Sequence, residues 1–202
     1  MKLNPIKITS ELIKCQSITP ENDGAIELVS QLLSNEGFKC HTIERNGISN
    51  LFARWGNATD GLTLCFNGHT DVVPPGIVES WSHNPFSGIE KNGFIFGRGA
   101  ADMKSAIAAF ICAAATYLND NKPRGSIVLA ITGDEEGKAE DGTAAILDWM
   151  TEHNEKIDHC IVGEPTSKEH LGDTIKIGRR GSLTAKITAF GLQGHVAYPN
   201  RA

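Results

Sequence analysis

Helical apolar stripes alternate with short apolar runs along most of this chain. Residues 8–17 put Ile8, Leu12 and Ile13 on one helical face, with Thr9 or Ser10 as the cap. Ser17-Ile18-Thr19-Pro20 breaks the pattern. A second amphipathic helix is predicted over residues 22–36, with Ile26, Val29, Leu32 and Leu33 on one side and a stop at Gly37. Residues 38–45 and 50–55 read as strands joined through Asn46-Gly47, a hairpin-type pair. The apolar run 62–67 reads as a buried strand. It leads into Gly68-His69-Thr70-Asp71, where Gly68 is expected to let the backbone turn. The stretch through Pro74, Pro75, Trp81, His83, Pro85 and Phe86 lacks periodicity and reads as an ordered loop, with His83 structural. A short hairpin over 89–96 turns at Asn92-Gly93. Gly97-Arg98-Gly99-Ala100-Ala101-Asp102 then opens a helix reaching residue 121, apolar on nearly every side and therefore buried. Strand 126–132, helix 142–153 and strand 157–163 follow. Strands 174–178 and 182–190 flank a turn at Arg179-Arg180-Gly181. The alternation predicts an α/β fold.

Composition narrows the class. A chain of 202 residues can hold one substantial core, or one domain and part of another. Its net charge of −5 is spread without a basic block, which argues against a nucleic-acid surface. No apolar run of about 18 residues suggests a membrane span, and the N-terminus lacks the apolar core of a signal peptide. Five scattered cysteines (15, 40, 65, 112 and 160) make an odd number with no Cys-x-x-Cys pair, as expected of reduced thiols in a cytoplasmic protein.

The polar residues change the picture most at the strand ends. In open α/β sheets, ligands bind beyond the carboxyl ends of the strands. Strand 62–67 delivers His69 and Asp71 there, strand 126–132 delivers Asp134-Glu135-Glu136, and strand 157–163 delivers Glu164. Asp102 adds a carboxylate at a helix start. Gly97-x-Gly99 opening that helix has the form of a dinucleotide loop, but Asp102 stands where a small residue is needed and would repel a pyrophosphate. Each residue has a plainer reading alone: a hydrogen-bonded histidine, a solvated acidic turn, an N-cap. Together, acids this close would raise one another's pKa unless a cation lay among them. The set suits two divalent cations, with zinc favoured by mixed nitrogen and oxygen donors and cobalt or manganese as substitutes. If Glu136 ligates, Glu135 is free to act as general base, and amide hydrolysis follows as the reaction class.

His69-Thr70-Asp71, Gly97 to Lys104, Asp134-Glu135-Glu136-Gly137, Val162-Gly163-Glu164-Pro165 and Gly194-His195-Val196-Ala197-Tyr198-Pro199 resemble, in order, the motifs of the M20 family of dinuclear zinc deacylases and aminopeptidases. The resemblance implies a three-layer αβα zinc-exopeptidase-like catalytic domain over 1–178, and the beginning of an α+β dimerisation (lid) domain over 179–202. It implies two zinc ions, one of them replaceable by cobalt. His69 and Glu164 would bind one, Glu136 the other, and Asp102 would bridge. Asp71 would hold the His69 ring, Glu135 would be the base, and the Asp102-Met103 peptide would be cis. His195 would reach across a homodimer to stabilise the oxyanion in the second copy's site. Arg179, Ser182 and Tyr198 resemble substrate-recognition positions, and Arg180 stands between that role and a solvated turn. Residues 134–143 and 178–183 are most similar to the branch acting on a small N-succinyl amino acid. Another M20 deacylase or carboxypeptidase, or an inert metal-binding fragment, remains open. Family members run about as long again and supply a last histidine to the Glu136 cation. The chain is therefore expected to be an N-terminal part, weakly active alone.

Overall fold

Asn4 and Pro5 start the first helix, α1 (Pro5–Lys14). The Asn4 side-chain oxygen accepts from the amides of Ile6 (2.9 Å) and Lys7 (3.2 Å), and Pro5 fits a first-turn position whose N–H has no partner anyway. The cap thus lies ahead of Thr9 and Ser10, the expected capping residues. Thr9 instead donates its hydroxyl to the Pro5 carbonyl at 2.8 Å, inside the helix. α2 spans Ala25–Asn35. β1 (Lys39–Arg45) and β2 (Ile48–Gly56) turn through Asn46 and Gly47, both at positive φ as a tight hairpin requires. β3 (Thr63–His69), the small hairpin of β4 (Ile89–Lys91) and β5 (Phe94–Phe96), α3 (Ser105–Asp120), β6 (Ser126–Thr132), α4 (Thr143–Glu152) and β7 (His159–Val162) complete the regular elements. The structure, a computed structural model, describes every residue except Met1, Lys2, Ala58, Asp60, Arg179, Arg180, Ser182, Thr184 and Ala202, with Arg201 by its backbone alone. It divides into two compact units, Met1–Pro165 and Thr166–Ala202.

In the first unit, one sheet runs in the order β1-β2-β6-β3-β7, with β6, β3 and β7 parallel and β1 and β2 antiparallel. Successive side chains alternate between its faces. Leu51, Ala53, Phe66, Leu129 and Ile131 meet Leu12, Val29, Leu33, Ile107 and Ile111 of α1, α2 and α3 on one side. Phe52, Cys65, Val128 and Ala130 meet Ala145, Ile146 and Met150 of α4 on the other. Helices therefore cover both faces, the expected αβα layering. The three parallel strands end together, with His69 registered on Thr132 and Asn67 on Val162. That shared carboxyl edge is where the site lies.

Several expectations need correction. Regular helix begins at Ser105, not Gly97, because Asp102 (φ −123°, ψ 100°) and Met103 break the turn before it, and their peptide is cis. Ala100–Asp120 taken together is long and apolar enough to cross a bilayer by length and composition, contrary to the sequence reading, since its many alanines add hydropathy without bulk. Its Ile107, Ala108 and Ile111 face lies in the core. Gly68 sits within β3 and makes no turn. A Cβ there would stand 2.6 Å from the Met103 methyl, so the glycine keeps room for the residue beside Asp102.

The second unit carries few regular elements. The Asp173 carboxylate accepts from the amides of Lys168, Glu169 and His170, which hold it well below the usual carboxylate range. The strands expected over 174–178 and 182–190 are not formed among the described residues. Ile175, Ile177, Leu183, Ile187 and Phe190 are exposed, and a strand without a neighbour has nothing to satisfy its backbone or bury its apolar side.

Candidate metal centre

His69 is the last residue of β3 and its side chain is 1% exposed. Its Nδ1 lies 2.8 Å from the Asp71 carbonyl oxygen. A carbonyl can only accept, so Nδ1 carries the hydrogen, and in the neutral ring Nε2 presents a lone pair. That lone pair faces acids: Asp102 Oδ1 at 3.0 Å, Glu164 Oε1 at 3.5 Å and Glu135 Oε2 at 4.0 Å. Lone pair against carboxylate is repulsive unless a proton or a cation lies between them. The donor set thus fits a divalent cation on the ring's own hydrogen bonding. Among the described residues, two groups have donor atoms mutually within 4.8 Å: His69 with Asp102 and Glu136, and His69 with Glu135 and Glu164.

The charges behave accordingly. Burial and the Asp102 charge push the Glu136 and Glu164 carboxyls above their usual range, with His69 opposing. Burial disfavours the His69 cation, but the Asp71 carbonyl and the surrounding carboxylates outweigh it and raise its pKa. Glu136 and Glu164 thus resist ionising beside their neighbours, and the carboxylates round the ring favour positive charge there.

The Asp71 carboxylate does a different job from its main chain. Its oxygens accept from the amides of Glu135 (3.1 Å) and Glu136 (2.9 Å), tying the loop after β6 to the end of β3. The ring is held at 2.8 Å by the Asp71 carbonyl, with the carboxylate 3.6 Å from Nδ1. Of the three consecutive acids, Asp134 is buried and turns away from the site, accepting from the amides of Glu140 and Asp141. Asn50 braces the same loop, its oxygen accepting from Thr132 Oγ1 (2.9 Å) and the Gly133 amide (3.2 Å). Neither Asn50 nor the inward Asp134 carries a sequence signal beyond a polar residue beside an apolar strand. Lys104 is missed as well: it is 0% exposed and donates to the carbonyls of Leu12 and Cys15 and to Ser17 Oγ.

Every metal-ligand candidate named from the sequence, with Glu135 and Asp71, therefore meets at one sheet edge of the first unit. His195 and Tyr198 belong to the second unit, where their rings lie 5.8 Å apart and the Tyr198 amide donates to the His195 carbonyl. Arg179 and Ser182, with Arg180, lie outside the described residues.

The model for peptidase family M20/M25/M40 matches residues 65–200. The chain is 52% identical over 202 residues to succinyl-diaminopimelate desuccinylase of Cereibacter sphaeroides (strain ATCC 17029 / ATH 2.4.9), covering 100% of this chain and 53% of that one. It is 54% identical over 200 residues to the protein of the same name from Paracoccus denitrificans (strain Pd 1222), covering 98% and 52%. The chain spans about half the length of the curated relatives it matches. Among solved structures, the M20 family metallo-carboxypeptidase Sso-CP2 from Sulfolobus solfataricus is similar with a TM-score of 0.67 at 25% identity, covering 79% of this chain and 37% of that one. Human carnosine dipeptidase 1 shares the fold, with a TM-score of 0.63 at 20% identity over 78% of this chain and 37% of its own. By motif order, fold and sequence identity, the chain belongs to peptidase family M20/M25/M40.

Proposed function

We infer that the full-length protein is a metal-dependent amide hydrolase that removes succinate from N-succinyl-LL-2,6-diaminopimelate, releasing LL-diaminopimelate for lysine and cell-wall synthesis. The observation that carries the hydrolase reading is the buried His69 ring with its Nε2 turned on Asp102 and Glu164. The substrate rests on the name shared by relatives 52–54% identical to this chain.

In this reading His69 and Glu164 would hold one cation, Glu136 the other, and Asp102 would be shared by both. Zinc is the expected ion, with cobalt able to replace one. Bound there, the ions supply Lewis acidity to the scissile carbonyl and to the attacking water. Glu135 takes the proton from that water at its carboxylate and delivers it to the departing amine. Asp71 positions it by gripping its amide and that of Glu136. His195 reaches the site of a second copy in a homodimer and donates to the developing oxyanion. Arg179, Ser182 and Tyr198 bind the substrate, the Arg179 guanidinium pairing with a carboxylate. Residues 179–202 begin the second, dimer-forming domain, and the enzyme works in the cytoplasm.

Glu135→Gln in the full-length protein tests the assignment. Zinc content should match wild type, while desuccinylation should fall about 10²- to 10⁴-fold, the usual worth of a positioned proton carrier. Unchanged turnover at full metal content would overturn the role of Glu135, whereas a zinc-loaded wild type without turnover would favour an inert metal scaffold. Faster wild-type hydrolysis of N-acetylornithine or of dipeptides than of the N-succinyl compound would overturn the substrate and leave the metal chemistry standing.

A further inference from the structure

Cys65 on β3 and Cys160 on β7 are directly opposed in the parallel register of the sheet. Neighbouring strands lie about 4.8 Å apart, inside the span of about 4.4–6.8 Å between Cα atoms that a disulfide bridges. Opposed residues of a parallel pair project to the same face, so the two thiols stand side by side on one side of the sheet. Cys65 is buried in the core under α4, whereas Cys160 is exposed among the described residues. None of the other three cysteines shares this setting: Cys15 ends α1, Cys112 is on α3, and Cys40 on β1 faces Ala53.

We propose that Cys65 and Cys160 form a dithiol site that hydrogen peroxide converts to an intrachain disulfide joining β3 to β7. The bond would fall on the two strands that carry the candidate site's ring and one of its acids. Cys65 stands four residues before His69, and Cys160 four residues before Glu164. It would hold these two strand ends in their present register, at the side of the sheet where β7 pairs only with β3 among the described residues.

Exposure sets the order of steps. Cys160 loses its proton, and its sulfur attacks one peroxide oxygen. The O–O bond breaks, and a sulfenic acid and one water result. Cys65 is the poor first nucleophile, because burial and the neighbouring thiol keep it protonated. As the resolving thiol it is already in place: its sulfur attacks the Cys160 sulfur, the S–O bond breaks, and hydroxide leaves with the Cys65 proton as a second water. Two thiols and one peroxide thus give one disulfide and two waters, with two electrons passing from sulfur to peroxide.

The test is peptide mapping of the full-length protein. The reduced protein is treated with stoichiometric hydrogen peroxide, its remaining thiols are alkylated, and it is digested without reductant for mass spectrometry. A single linked peptide pair, Cys65 with Cys160, should dominate and vanish on treatment with dithiothreitol, with Cys15, Cys40 and Cys112 recovered alkylated. Cys160→Ser, which removes one thiol and keeps a side chain of similar size, should abolish the linked pair. Recovery of Cys65 and Cys160 only as separate alkylated or over-oxidised peptides would overturn the proposal, as would crosslinks spread over other cysteines. Zinc content and turnover enter neither outcome.

Discussion

His69 and Asp71 share a strand end yet use different atoms for different ends. The ring is oriented by a main-chain carbonyl, while the neighbouring carboxylate is spent on two amides of the acidic loop. Asp71→Ala would leave those amides without their acceptor beside a cluster of acids. A buried donor left unpaired costs about 1–3 kcal/mol, so denaturant unfolding of the full-length protein should show a loss of at least that order. Asp71→Asn keeps one accepting oxygen and should cost less. Equal stability of Asp71→Ala and wild type would show that the loop is held by something else. At this scale the sequence was legible where a residue's chemistry was unusual for its place. A histidine and acids at three strand ends stand out, because random surface acids have no reason to gather there. Asp134 could not be told from Glu135 and Glu136, since which of three consecutive acids turns inward depends on the amides of Glu140 and Asp141. The opposition of Cys65 and Cys160 was equally hidden, because it needs β3 and β7 to be neighbours in a stated register.

At the scale of elements, Lys104 joins parts that the sequence leaves separate. Its ammonium donates to Leu12 O (2.9 Å), Cys15 O (2.7 Å) and Ser17 Oγ (2.8 Å), and Ser17 in turn donates to Thr70 O (2.7 Å) between His69 and Asp71. The end of α1, the bend before α3 and the end of β3 are thus joined through one buried cation, and no carboxylate among the described residues pairs with it. Burial pushes its pKa from 10.5 down to about 8. The folded state therefore binds this proton less tightly than the unfolded chain. The cost is fully present below about 8 and is relieved as pH rises from there toward 10.5. Stability measured across that window at fixed metal loading should contain a rising component that Lys104→Met lacks. The same slope in both proteins would show that the lysine ionises as freely in the fold as outside it. Helices and strands with a partner inside the first unit were legible from periodicity alone. The segments 174–178 and 182–190 have the same alternation and no neighbour among the described residues, so pattern without pairing misled.

Across the whole molecule, the sheet order β1-β2-β6-β3-β7 brings together chemistry spaced widely along the chain. Three parallel strands end side by side, and the broken turn at Asp102 closes over them from the helical layer. Stability and function are separated along the strands: apolar residues on both faces make the two cores, and the polar residues just past the strand ends make the site. Acids packed round a histidine that already has its hydrogen elsewhere are held against their own repulsion, and a bound cation would remove that cost. The most direct measurement is anomalous-scattering crystallography of the zinc-loaded full-length protein. The account predicts anomalous peaks bonded to His69 Nε2 and Glu164 and to Glu136, with Asp102 between them. An anomalous map with no peak in bonding reach of His69 Nε2, from protein that retains zinc elsewhere, would contradict it.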